Sequence, residues 1–402
     1  MTTRFMKTRS VVDRWLEFGP AEPKIGRCLS FNLNLARGVS AILVLLYHVK
    51  LNVLAPSSNP GPGDRIVDAL CECGPQAVFW FFVISGYLVG GKALVTLQRR
   101  DFDIWRYGSE RAARIYAVLV PAIVVGLAFD GIRIAAFGLN ASAGAETPLS
   151  YSPLTLIGNL FCLQTIFVPV AGSNNPLWSL ALEAWYYVIF GAVVWTIGSA
   201  GARKSGGVLG VVALVCALGI FRYNLVTLFP IWLFGVAARC VAFKSAKSVS
   251  LCWAFAIAVM LSYPYWHRFG TLAADYAVGL SFATVLIAAR SATATPSGAL
   301  ERVARSLADF SFSLYVLHAP LIHFFLAFCR GSGYVRLDYT GMNLEVGLAF
   351  LLLVSISIMA AYAFSLVTER NTHKVLTFIR SSLRIAPAAG ASSAPTGASE
   401  AG

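Results

Sequence analysis

Long, mostly apolar runs recur along the chain near residues 35–54, 76–97, 113–130, 177–197, 207–222, 225–242, 249–266, 272–289, 310–328 and 344–367. Runs of this length cross a hydrocarbon layer about 30 Å thick as α-helices rising about 1.5 Å per residue. The pattern predicts an all-α integral membrane fold of ten transmembrane helices. An eleventh candidate, Leu154–Val170, has Pro153 and Pro169 at its edges and Asn159 and Gln164 inside. Charge decides its fate. If it does not span, seven basic residues face outward: Lys50, Arg65, Arg133, Arg222, Arg268, Arg330 and Arg336. If it does span, everything downstream flips and twelve basic residues face outward, which the positive-inside rule rejects. The segment near 154–170 is therefore expected to be a short re-entrant or interfacial hairpin on the outer side, with both termini cytoplasmic.

Three parts follow from this pattern: a basic N-terminal arm over 1–34, a ten-span unit over 35–374, and a cytoplasmic tail over 375–402. After Ile385 the tail is Ala/Gly/Ser/Pro-rich and expected to be largely disordered. Within the arm, Arg4–Phe18 intersperses basic with apolar positions. That pattern suits an interfacial helix, with a flexible basic arm as the alternative. The N-terminus is polar to about Asn34, so no secretory signal peptide is expected.

Composition supports the membrane assignment: 57% hydrophobic, 13% charged, mean hydropathy +0.69. The net charge of +13 does not imply nucleic acid, because the 32 Lys and Arg are spread through short loops instead of forming one basic domain. Eight Cys are scattered, with Cys71 and Cys73 the one close pair. A bridge across one residue would be strained, and no neighbouring ligand completes a metal site, so incidental thiols and no metal are expected.

Against this apolar background the polar positions inside spans stand out. Arg37 and His48 are eleven residues apart on the first span, hence on one helix face and roughly 16 Å apart along it. An ionisable group at that depth is expensive in lipid and marks a functional site by default. Ser85-Gly86-Tyr87 interrupts the second span with small residues that let helices approach or backbone line a cavity. Arg111 and Arg114 share a face at the entrance to the third span, a spacing suited to bidentate phosphate contacts as well as to topological anchoring. Trp178, Ser179 and Glu183 open the helix after the hairpin, with Glu183 roughly 9 Å inward. Glu183 and His48 lie at similar depth and are expected to meet in one cavity as an acid–base or orienting pair. Tyr315 and His318, three apart, share a face near mid-membrane.

These clusters, in this order, resemble the acyltransferase family 3 of multi-pass O-acyltransferases. The matches are Arg37 and His48; Phe81-Phe82 with Ser85-Gly86-Tyr87-Leu88; Arg111 and Arg114; Trp178-Ser179-Leu180 with Glu183 and Tyr186; and Ser311, Ser313, Tyr315, His318 and Pro320. Asn34 stands where the family often has Asp, and no fused esterase-like domain is expected beyond the tenth span. The resemblance implies transfer of a small acyl group, acetyl above all, from cytoplasmic acyl-CoA to a hydroxyl of a carbohydrate or lipid-linked glycan. Typical acceptors are exopolysaccharide, O-antigen or Nod-factor-like glycoconjugates, and the setting is a bacterial inner membrane. Acyl-CoA would be a co-substrate, with no permanently bound cofactor.

A sugar hydroxyl needs a positioned base to attack a thioester. His48 is expected to be that base, or a transient acyl carrier, with Glu183 orienting it. Arg37, Arg111 and Arg114 would hold the donor's phosphates. Ser85, Tyr87, Trp178, Ser179, Tyr315 and His318 would line the substrate cavity. Two alternatives remain at this level: a transporter or flippase of glycolipid or acyl groups, and a succinyl or other acyl donor. The absence of a visible internal repeat counts against the transporter.

Overall fold

The structure, a computed structural model, describes residues 25–55, 61–137, 149–199, 205–212, 215, 223–241, 248–292, 296–331, 339–340 and 344–385. The arm's proposed helix at Arg4–Phe18 and the tail beyond Ile385 lie outside the described residues, as does most of the run predicted at 207–222. The architecture is helical throughout, apart from a two-residue parallel pairing of Leu54–Ala55 with Tyr339–Thr340 and two isolated bridges. Among the described residues seven helices are long and apolar enough to cross a membrane, and two shorter apolar helices, Asn224–Cys240 and Val249–Leu261, accompany them. The fold class is the expected one and the molecule is an integral membrane protein. The count of ten is not reached among the described residues.

Helix α1 (Arg27–Val53) begins eight residues before the predicted start of the first span, so part of the expected arm is helical. It packs against α2 (Gly74–Ser85), α8 (Thr271–Ser291), α9 (Gly298–Ala308), α10 (Ser311–Gly331) and α11 (Leu344–Val367). A helix enclosed in this way can carry Arg37 and His48 because their neighbours are protein and cavity instead of lipid. Beyond α2 the chain makes one π-helical turn, Gly86–Gly90, before continuing as α3 (Gly91–Gln98). Such a bulge lies at the second polar cluster, where the backbone must be re-aimed.

The reason for glycine at the bulge is a backbone–backbone contact with α6 (Phe229–Cys240). A Cβ on Gly86 would sit 1.9 Å from the Trp232 carbonyl oxygen, and a Cβ on Gly235 would sit 2.0 Å from that of Val83. Close packing thus accounts for Gly86. Gly86→Ala must push two helix backbones apart and should destabilise by about 1–3 kcal/mol. Thermal unfolding in detergent checks this, and an unchanged midpoint would mean that the two helices give way freely.

Helix α4 (Ile104–Phe137) starts nine residues before the predicted third span and runs 34 residues through Pro121. It packs on α10 and on α12 (Thr372–Ser382). Helix α12 crosses the boundary expected at residue 375: residues 375–382 belong to an amphipathic helix that packs on α4. Helix α7 (Val249–Leu261) is shorter than predicted, because Pro264 opens a separate turn at Tyr263–Trp266.

The ambiguous segment near 154–170 does not cross. It forms one eight-residue helix, Pro153–Leu160, capped by Ser152 accepting from the Thr155 N–H. A compact loop follows, fastened by Asn159, which donates to the Thr155 and Pro169 carbonyls and accepts from the Ala171 N–H. Gln164 donates to the Leu177 carbonyl at the start of α5 (Leu177–Gly198).

The loop is also tied to the bundle at two points. Asn174 donates to the Val316 carbonyl at 2.8 Å. Pro320, four residues further on, has no N–H to give that carbonyl, so Asn174 supplies the missing donor. The second tie is Asp130, which accepts from the Ser173 N–H and hydroxyl and pairs with Arg133 at 2.9 Å, both side chains 2% exposed. Arg133 was expected in an outer loop. It lies within α4 and is buried.

Cys71 and Cys73 are both buried free thiols.

Candidate active site

Two of the cavities along α1 lie at Arg37 and at His48. The first, about 540 Å³, is lined by Arg37, Arg111, Arg114, Ser85, Ser179, Glu183, Tyr187 and Tyr315, with Thr372 and His373 from α12. Its cations are held by carboxylates behind them. Glu369, 5% exposed, pairs with Arg114 at 2.8 Å and Arg37 at 3.5 Å. The same carboxylate accepts from the backbone N–H and hydroxyl of Ser313. Glu110 sits between Arg111, Lys92 and Arg380. Five cations therefore surround two carboxylates, and three of the five, Arg37, Arg111 and Arg114, line the cavity. Deeper in, Tyr187 donates to Glu183 and shares a hydrogen bond of 3.0 Å with Ser85, which also accepts from the Trp232 indole. This floor has one carboxylate and two hydroxyls in fixed orientation.

The second cavity, about 460 Å³, is lined by His48, Asn52, Thr165, Ser173, Asn175, Trp178, Tyr315 and His323. The fastened loop supplies one wall of it. His48 Nδ1 lies 2.9 Å from the Val44 carbonyl oxygen, which can only accept, so Nδ1 carries the proton. That leaves the Nε2 lone pair of the neutral ring as the available base. His318 has the same anchor, Nδ1 to the Leu314 carbonyl at 3.0 Å, and its ring lies 4.8 Å from that of His48. The His318 Nε2 is buried without a hydrogen-bond partner among the described residues.

Tyr315 alone lines both cavities among the described residues. Its hydroxyl donates to the Pro176 carbonyl at 3.0 Å and shares a 2.6 Å hydrogen bond with Ser179.

The predicted site residues divide accordingly. Arg37, Arg111, Arg114, Ser85, Ser179 and Glu183 gather in one chamber, His48 and Trp178 in the other, and Tyr315 stands between. Glu183 and His48, expected in one cavity, are in different ones, because α5 enters beside Tyr315 and presents its carboxylate to the arginine side. His318 lies behind His48, 1% exposed, instead of on a cavity wall. Tyr87 is also off the wall: it is buried under the Arg239 guanidinium, 5.2 Å from its ring centre. Tyr186 points into an aromatic cluster with Phe82, Phe229 and Trp232.

Two residues of this site were not picked out from the sequence. Tyr187 was detectable, since it lies four residues after Glu183 and so on the same helix face. Glu369 carried a weaker signal, a carboxylate just past a long apolar run. Only the folded chain brings it to Arg37 and Arg114.

A polytopic bundle with an imidazole chamber and a guanidinium chamber meeting at one tyrosine has the parts of a membrane group-transfer enzyme. An acyltransferase-domain model, that of the acyltransferase family 3, matches residues 31–368, and the chain belongs to this family. The chain is similar to the O-acetyl transferase of Shigella phage Sf6, 25% identical over 301 residues covering 71% of this chain and 83% of that protein. It is also 27% identical over 114 residues to an uncharacterized protein of Haemophilus influenzae, covering 27% of this chain and 45% of that protein. No solved structure matches. The protein is an acyltransferase.

Proposed function

We propose that the chain moves a small acyl group, acetyl first, from acyl-CoA to a hydroxyl of a carbohydrate or lipid-linked glycan in the bacterial inner membrane. In this reading both termini and the arginine chamber face the cytoplasm, and the domain over 35–374 crosses the membrane ten times. What supports it most is the division of labour along one helix: cations at one cavity, an oriented neutral imidazole at the other, one side chain between.

Arg111 and Arg114, with Arg37, hold the donor's phosphates through charge-assisted contacts at the mouth. Glu369 and Glu110 keep the guanidiniums in place. The pantetheine arm runs inward past Glu183, whose carboxylate accepts from its amide N–H groups while Tyr187 fixes it. At the end of this path the thioester carbonyl meets Tyr315 and Ser179.

On the other side the acceptor hydroxyl lies against His48. The imidazole Nε2 takes its proton as the hydroxyl oxygen attacks the carbonyl carbon. The tetrahedral intermediate collapses, the C–S bond breaks, and the thiolate leaves with a proton to become the free CoA thiol. The variant route passes the acyl group first to Nε2 and then to the hydroxyl. Glu183 acts on the donor here, since it lines the arginine chamber and not that of the imidazole.

The test is transfer of labelled acetyl from acetyl-CoA by purified protein to glycans extracted from the host membrane. Mass spectrometry of surface glycans from a deletion strain then identifies the acceptor. No label transfer and no acetyl-CoA binding would overturn the reading. Arg111→Ala and Arg114→Ala should each raise the donor KM about tenfold, the effect of losing one charge-assisted contact, with kcat nearly unchanged. Altered expression or orientation alone would make them topological anchors.

A further inference from the structure

Tyr315 separates two cavities, and its chemistry suits more than a wall. The ring is 7% exposed although a cavity of about 540 Å³ lies on one side and one of about 460 Å³ on the other. Both hydrogen bonds of its hydroxyl end on one short stretch, Pro176 and Ser179, at the entry of α5. On its own helix the next residue, Val316, is held by Asn174, so opening at this point is a rotation of the side chain about its own bonds, away from Phe81 and His318. Breaking two neutral hydrogen bonds is a modest barrier, and either cavity has room for the ring.

A thioester needs such a barrier. Water reaching the carbonyl carbon would attack as the sugar hydroxyl does: the C–S bond breaks, the thiol leaves with one proton, and the acyl group departs as a free carboxylic acid. His48 would activate that water as readily as an alcohol. A chamber that admits glycan also admits water, so the donor must be screened from it until the acceptor fills the space.

We infer that Tyr315 is a valve between the chambers, closed onto Pro176 and Ser179 in this structure, which keeps acceptor-side water off the acyl thioester and swings aside for transfer. The assignment rests on the acyltransferase reading proposed above.

The experiment uses the full chain in nanodiscs with acetyl-CoA as probe and no acceptor. Release of free thiol reports hydrolysis. Tyr315→Ala removes the barrier and should raise hydrolysis about tenfold or more. Tyr315→Phe keeps the ring but loses both hydrogen bonds, and should give a rise of about threefold. Hydrolysis at the wild-type rate in both variants, with acetyl-CoA binding intact, would overturn the valve and leave the acyltransferase reading standing. Failure of the wild-type protein to bind acetyl-CoA would overturn both.

A second measurement is independent of the donor. Asn52→Cys, in a chain with the eight native Cys replaced, places one thiol in the histidine chamber. In sided vesicles, an impermeant thiol reagent added on the Arg111 face should leave it unmodified with Tyr315 present. With Tyr315→Ala the same reagent should modify it. Equal protection in both chains would refute the valve.

Discussion

His48→Ala is expected to lower acyl transfer by about 10²- to 10⁴-fold, the range for removing a positioned general base. A sugar hydroxyl is almost fully protonated at neutral pH and needs a base; besides His48, the wall of its chamber carries one other imidazole among the described residues, His323. His318 stands behind His48 and does not reach the wall. The substitution should spare the fold, because His48 borders a cavity and its one hydrogen bond goes to a carbonyl of its own helix. Labelled acetyl transfer, normalised to protein in the membrane fraction, measures the effect. Transfer within a few-fold of wild type would remove His48 from the mechanism. His48→Gln should be as inactive, since an amide fills the space without taking a proton. Rapid quenching with labelled acetyl-CoA separates the two routes: label on the wild-type chain, absent from His48→Ala, is the result expected only of the acyl-imidazole route.

The second large effect is on stability. Asp130→Ala leaves the Arg133 guanidinium 2% exposed without its carboxylate and should cost about 3–5 kcal/mol. It also frees Ser173, whose N–H and hydroxyl both donate to Asp130. The loop wall of the histidine chamber should then loosen, raising the acceptor KM as well as lowering the unfolding midpoint. Gly172 adds to the constraint: it sits at φ +59°, and a Cβ there would lie 2.3 Å from an Asp130 carboxylate oxygen. The double variant Asp130→Ala/Arg133→Leu removes both charges and should recover much of the lost stability. Thermal unfolding in detergent distinguishes these outcomes. A single variant as stable as wild type would mean that the pair is solvated.

Much of this was legible from spacing. The eleven-residue interval between Arg37 and His48 fixes a shared azimuth on any α-helix, whatever surrounds it. The five polar clusters pointed to the family, and loop charge kept residues 154–170 from being taken as a span. Less legible were the joins between distant segments. Nothing local tells that Glu369 reaches Arg37 and Arg114, or that Asn174 supplies the donor Pro320 cannot give to Val316. Depth alone suggested that Glu183 and His48 share a cavity. Equal depth places two groups at one level in the membrane, but the azimuth of one helix relative to another is set by how side chains interlock. Tyr315 falls between them.

By itself the sequence determined helices, membrane residence, family and the identity of nearly all the chemical groups. Each follows from short-range rules, namely helical period, span length and motif spacing. Tertiary structure decided the grouping: arginines with Glu369 on one side, imidazole with the pinned loop on the other, and a single phenol between. That partition depends on packing among residues hundreds of positions apart, which no local rule encodes.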